Sequence, residues 1–158
     1  MFDDLLAANR RYASKFHDSG VAGSAAKGLA VLTCIDSRID PLAMLGLIPG
    51  DAKIIRNAGA RVTEDALRSL VLAVNLLNVN RICVVQHTDC AMAKSSDDEI
   101  RHRLGAGDDF EPLAMQDQTA ALRADIDRIR ASKYIPTATE IGGFLFDVRS
   151  GELLPAEI

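Results

Sequence analysis

Two short stretches of this chain carry side chains that could do chemistry together. In Cys34-Ile35-Asp36-Ser37-Arg38 a thiol, a carboxylate and a guanidinium stand at alternate positions. Alternate residues of an extended chain point to the same side, so all three can face one cavity. An Arg brought inside beside an Asp is costly unless the two pair. The same stretch also reads as an ion pair closing a strand end beside a core cysteine. The second stretch, His87-Thr88-Asp89-Cys90, places an imidazole and a thiol with two residues between them. That spacing suits two metal ligands on one turn, and alone it also reads as a chance pair on a loop. Together Cys34, His87 and Cys90 offer two thiolates and one imidazole. Such donors favour zinc over magnesium or calcium, which want oxygen. Three protein ligands leave one tetrahedral position open, as catalytic zinc sites do. Asp36 is the nearby residue that could close it as a fourth ligand.

The elements around these stretches must bring them together. Residues 28–33 read as a first strand ending at the first cluster, and residues 81–86 as another, with the continuous run Ile82-Cys83-Val84-Val85 of a strand buried on both faces. Between them, residues 52–56 form a short strand and 57–60 a tight loop. Thr63 then caps a helix whose Leu67, Leu70, Val71, Val74 and Leu77 fall on one face. Residues 3–16 have a helical pattern. Asp40-Pro41 predicts the start of a short helix running to about Gly46. Ser96 and Glu99 form a capping box, and residues 113–131 carry a further amphipathic helix. Residues 142–148 read as a fourth strand and 152–154 as an antiparallel edge strand. Strands alternating with helices predict an α/β domain spanning residues 1–158. Its central sheet is mostly parallel, of about four strands with an antiparallel edge strand, and helices cover both faces. Ligands bind beyond the carboxyl ends of such strands, where both clusters lie.

Composition narrows the function. A length of 158 residues supports one core, and 48% hydrophobic with 25% charged residues is ordinary for a soluble globular chain. A net charge of −4 argues against nucleic acid as the main partner. No apolar run approaches the length of a membrane span, and the acidic start Met1-Phe2-Asp3-Asp4 lacks the pattern of a signal peptide. A cytoplasmic protein is therefore the expectation. Three cysteines do not make a disulfide framework, which leaves them as ligands, nucleophiles or core residues.

With their surroundings, the two motifs resemble those of the β-carbonic anhydrases. Besides Cys34 to Arg38 and His87 to Cys90, the segments Ile55-Arg56-Asn57-Ala58-Gly59 and Gly143-Phe144-Leu145-Phe146-Asp147-Val148 look like that family. The resemblance covers nearly the whole chain and is most like the short prokaryotic branch. It implies one zinc per subunit held by Cys34, His87 and Cys90, and reversible hydration of carbon dioxide to bicarbonate and a proton. It implies Asp36 and Arg38 as a catalytic pair, with Gly59 and Ser37 on the substrate side. Gly59 lets the backbone approach a small substrate, or serves a turn needing positive φ. Ser37 donates to the thiolates or caps its turn. The resemblance also implies a homodimer or homotetramer with the site near the interface. Phe2, Leu5 and Tyr12 are then candidates for exchange between subunits, or for core packing at home. The family usually has Gly after the second cysteine ligand. Here Ala91 follows Cys90, which would add strain if that position needs positive φ.

A charge argument fixes the expected division of labour. Zinc with two thiolates is formally neutral, so bound water is harder to deprotonate than at a three-histidine site, where its pKa is about 7. Arg38 offsets this with a nearby cation and holds Asp36 ionised, ready to take a proton from the nucleophile. Arg56 balances charge at the site or ends a strand in solvent. Asp89, His17 and His102 read as surface residues, and Cys83 as core. Two other functions fit the same motifs. One is a hydrolase of carbonyl sulfide or carbon disulfide, linear apolar substrates like carbon dioxide. The other is a catalytically silent zinc-binding relative in which Asp36 stays on the metal.

Overall fold

A computed structural model describes residues 1–157. Five strands form one sheet in the order β2-β1-β3-β4-β5: β1 (Leu29–Cys34), β2 (Ala52–Asn57), β3 (Arg81–His87), β4 (Glu140–Phe146) and β5 (Leu153–Pro155). The first four are parallel and β5 pairs antiparallel with β4. The expected sheet is thus present. The chain leaves β1 for β2 on one side and then crosses to β3 on the other. This reversal of strand order opens a crevice beyond the carboxyl ends of β1 and β3. Register carries Thr33 opposite Val85, so the two strands finish side by side, at Cys34 and His87.

Side-chain alternation divides the core in two. Ala30, Leu32, Ile82 and Val84 face one way and pack with Ala66, Leu70 and Ala73 of α2 (Glu64–Leu76) and with Leu122, Ile126 and Ile129 of α4 (Gln118–Arg130). Val31 and Val85 face the other way, toward Ile39, Cys90, Met115 and Phe146. Helical cover is therefore uneven. Both long inner helices lie on the first face, and loop segments and short 3-10 turns close the second around the crevice. The first helix, α1 (Asp3–Ala13), has no buried residue. Phe2, Leu5, Leu6, Tyr12 and Phe16 are more than half exposed, so they do not pack at home. No helix among the described residues is long and apolar enough to cross a membrane.

Several boundaries differ from expectation for local reasons. Asp40 does cap its turn, accepting from the N–H groups of Leu42 and Ala43 (both 3.1 Å). The element it starts is a single 3-10 turn at Ala43–Leu45 that Gly46 ends in the left-handed region, not an α-helix. α4 begins five residues later than its apolar pattern suggested. Leu113 has φ of 60°, and Asp117 caps the helix by accepting from Ala120. Thr63 caps α2, and Ser96 with Glu99 forms the expected capping box of α3 (Asp97–Leu104).

One buried ion pair fixes the loop beside the crevice to α4. Arg61 Nε donates to Asp125 Oδ2 at 2.7 Å and an Arg61 Nη to the Leu113 carbonyl at 2.8 Å. The side chains are 15% and 5% exposed. Asp125→Ala leaves a guanidinium without its carboxylate in a nearly dry setting and is expected to cost about 3–5 kcal/mol in urea unfolding. Pairing Arg61→Met with Asp125→Leu should recover most of that loss. Equal losses in both variants would show that the charges themselves are not what matters.

Candidate metal centre

The crevice gathers its side chains because three chain segments end there. β1 delivers Cys34, β3 delivers His87, and the turn after β3 delivers Cys90. The ligand atoms of these three residues lie within 4.8 Å of one another. All three residues are at least 96% buried. His87 Nδ1 lies 2.9 Å from the Thr88 carbonyl. A carbonyl only accepts, so Nδ1 carries the proton and Nε2 presents a lone pair. That Nε2 is buried without a hydrogen-bond partner among the described residues. An unpartnered imidazole nitrogen beside two thiols is a donor set that fits zinc.

The sulfurs bear this out. The Cys34 thiol is drawn down, chiefly because Cys90 donates a hydrogen bond to its thiolate. Cys90 is pushed up because Cys34 already holds the negative charge beside it, and burial adds to that. The pair therefore gives up one proton easily and keeps the other until a cation arrives. Burial works against a charged His87, but the Cys34 thiolate outweighs it and raises the imidazole above its ordinary value.

Gly59, in the loop after β2, donates its N–H to Cys34 Sγ at 3.4 Å. Its φ is 75°, and a Cβ there would come within 3.0 Å of Met115 Cε. Both the backbone conformation and the close packing require glycine. Arg56, near the end of β2, is exposed, as one reading had it, but it is also anchored. Its Nε donates to the Cys34 carbonyl (2.9 Å) and an Nη to the Asp36 carbonyl (2.7 Å), which pins the turn on either side of Ile35.

Asp36 and Arg38 pair as the spacing implied. Asp36 Oδ1 accepts from Arg38 Nε (2.9 Å) and from the Arg38 backbone N–H (2.9 Å), and Oδ2 accepts from an Nη at 2.7 Å. Asp36 Oδ2 is also 3.9 Å from the unpartnered His87 Nε2, so one carboxylate oxygen borders the metal position. Asp89 is more than a surface residue. It receives the other Arg38 Nη at 2.8 Å, accepts from Arg38 at its carbonyl (3.2 Å), and pairs with Lys94. Nothing in the local sequence around Asp89 signalled this, since its partner lies 51 residues away. Ser37 is exposed in the turn. His17 and His102 are exposed, as read from the sequence, and Cys83 is half-buried in β3. Ala91 opens a 3-10 turn and is not among the residues with positive φ; the left-handed residue of this loop is Asp89, at 59°. Ala91 therefore carries no such strain: the positive φ of this turn falls two residues earlier, at Asp89, a residue type that tolerates it.

Arg38 holds the Asp36 carboxyl well below the usual carboxylate range. Lys94 and then Arg38 hold Asp89 at about 2. Both values lie below the unfolded ones, near 4, so the native state binds fewer protons in acid. The stabilisation is whole above about pH 4 and is lost as the pH falls through the folded values. Carbon-13 spectra of the two carboxyl groups are expected to show no inflection between about pH 5 and 9. An inflection near neutrality would contradict the geometry.

Comparison with known proteins agrees. The carbonic anhydrase family profile matches residues 29–110, which span both ligand clusters. Beta-carbonic anhydrase 1 of Mycobacterium tuberculosis is 36% identical over 155 residues, covering 96% of this chain and 94% of that protein. The chain belongs to the β-carbonic anhydrase family. The carbonic anhydrase structure from Streptococcus mutans superposes with a TM-score of 0.89 at 32% identity, covering 99% of this chain and 97% of that one. A carbon disulfide hydrolase from an Acidianus strain is 30% identical over 79% of this chain and 75% of its own length. Members of this family use zinc, in keeping with the Cys34, His87 and Cys90 group.

Proposed function

We propose that this chain is a zinc lyase that reversibly hydrates carbon dioxide to bicarbonate and a proton, with Cys34, His87 and Cys90 as its metal ligands. The observation that carries the residue assignment is the buried His87 Nε2, without a protein partner, facing two thiols with Asp36 alongside. When bound, zinc would supply Lewis acidity and lower the pKa of a bound water. The chain's own groups do the rest. Asp36, kept ionised by Arg38, accepts a hydrogen bond from the nucleophile at Oδ2 and so orients its lone pair. Arg38 keeps that carboxylate aimed, and Asp89 holds Arg38 from its far side. Gly59 offers backbone beside Cys34, with Met115 and Met92 packed against it as an apolar wall suited to carbon dioxide. Ser37, at the exposed turn, is assigned to the substrate side at the rim.

Stopped-flow hydration by the zinc-loaded protein across pH tests the reading, with carbon disulfide and carbonyl sulfide run in parallel. Absence of hydration at every pH overturns it. Turnover of the sulfur substrates alone would instead favour the second reading, which the likeness to the Acidianus hydrolase supports.

The proposal extends to a single domain over residues 1–158, working in the cytoplasm as a homodimer or homotetramer. The apolar stripe of α1 supports the assembly: Phe2, Leu5 and Tyr12 are 60–65% exposed. Contiguous apolar surface of this kind marks an interaction site. Deleting residues 1–16 is expected to convert the assembled protein to monomer in sedimentation velocity. An unchanged distribution would place the interface elsewhere.

A further inference from the structure

The Arg38 side chain divides its hydrogen bonds between two carboxylates. Nε (2.9 Å) and one Nη (2.7 Å) go to Asp36. The Asp89 carboxylate (2.8 Å) and the Asp89 carbonyl (3.2 Å) take the others. Asp36 and Arg38 stand two residues apart in one turn. A carboxylate and a guanidinium tied only to each other can swing together, so that pair alone has no fixed place relative to the ligands. Packing does little to hold it, since the Arg38 side chain is 42% exposed. Asp89 supplies the fixed point. It stands between His87 and Cys90 in the turn after β3, in the left-handed region at φ of 59°. From there its carbonyl and its carboxylate both meet the same guanidinium. Lys94, at the end of the following 3-10 turn, pairs with Asp89 Oδ1 and leaves Oδ2 to Arg38.

A second place for Asp36 lies close by. Its Oδ2 is 3.9 Å from His87 Nε2. A cation held at that nitrogen attracts the carboxylate, and a carboxylate oxygen is an ordinary zinc ligand. Asp36 therefore has two competing partners, the guanidinium and the metal. Resting on the hydration reading for the metal site, we propose that Asp89 is the positioning residue that decides between them. By tying Arg38 to the turn that bears His87 and Cys90, it keeps Asp36 on the guanidinium and leaves the fourth metal position open to water. Asp89 touches no reacting atom; it acts through Arg38 and then Asp36.

Two variants test this. Asp89→Gly removes the carboxylate and suits the left-handed backbone. Asp89→Asn keeps an oxygen acceptor for Arg38 in the same conformation. Both are loaded with zinc and compared with the wild type by metal analysis, by crystallography at neutral pH and by stopped-flow hydration. All three are expected to hold stoichiometric zinc. Asp36 should lie on Arg38 in the wild type and on the metal in Asp89→Gly. For Asp89→Gly, kcat/KM should fall about 10–100-fold, the usual cost of losing a group that supports a metal site from behind, and Asp89→Asn should recover part of that loss. The proposal is overturned by Asp36 on the metal in the wild type, by Asp36 still on Arg38 in Asp89→Gly, or by equal losses in the two variants. Loss of zinc from Asp89→Gly also overturns it, since Asp89 would then support the ligand turn itself. The position of Asp36 is read without turnover. A wild type inert toward carbon dioxide would thus overturn the hydration reading and leave Asp89 to be judged on the crystals.

Discussion

Cys90→Ser is expected to purify with little zinc and to hydrate carbon dioxide no faster than buffer. Two effects add. Serine replaces a thiolate by a hydroxyl that stays protonated and is a poor zinc ligand at neutral pH. The change also alters the remaining thiol. Hydrogen bonding from Cys90 is the largest cause of the depressed Cys34 pKa. Without that sulfur, Cys34 moves back toward the ordinary thiol range and presents less thiolate to the metal. Loss of a partner around a ligand alone costs about 10–100-fold in metal affinity, so loss of a ligand itself should exceed that. Metal analysis checks the occupancy, and thiolate absorbance against pH checks the Cys34 shift. Circular dichroism should show the fold retained, because the core formed by α2, α4 and the sheet does not include Cys90. A variant that keeps stoichiometric zinc would remove Cys90 from the ligand set.

The elements that position this site were legible because short-range patterns specify them. β1 and β3 are apolar runs whose last residues are the ligands, and the alternation of strands with helices places both ends in one crevice. Legibility failed where partners come from far along the chain. Leu113 and Met115 look like the start of a helical stripe. Met115 is instead drawn under Gly59 by a hydrogen bond from its N–H to the Met92 carbonyl (2.8 Å), which keeps the chain extended until Asp117 can cap α4. Asp89 looks like a solvated residue between two ligands. Only the fold shows that Arg38 reaches it. The Arg61–Asp125 pair joins residues 64 apart and leaves no periodic trace.

Asp36→Asn should keep its zinc and its fold and lose most of its activity, with kcat/KM falling about 10²–10⁴-fold, the range over which positioned acid–base groups act. The fold is spared because Arg38 is not left alone: Asp89 still takes one Nη and its carbonyl accepts from the other. Asparagine preserves the shape of the carboxylate but not its charge. Its NH₂ would confront either the guanidinium or the space next to His87 Nε2, and neither is an acceptor free to receive it. The group that accepts the nucleophile's hydrogen bond and aims its lone pair is thereby removed. The pH profile separates this role from a structural one. Arg38 holds the wild-type carboxyl well below the usual carboxylate range, so Asp36 is already fully ionised across any neutral assay. The substitution should lower the plateau and move the inflection toward lower pH, because a negative charge bordering the metal position is gone, whereas a simple loss of folded protein would scale the profile down without moving it. Asp36→Glu lengthens the reach by one methylene and should recover part of the loss if acceptance of that hydrogen bond is what matters. Activity within about twofold of wild type in Asp36→Asn would place the acceptor elsewhere.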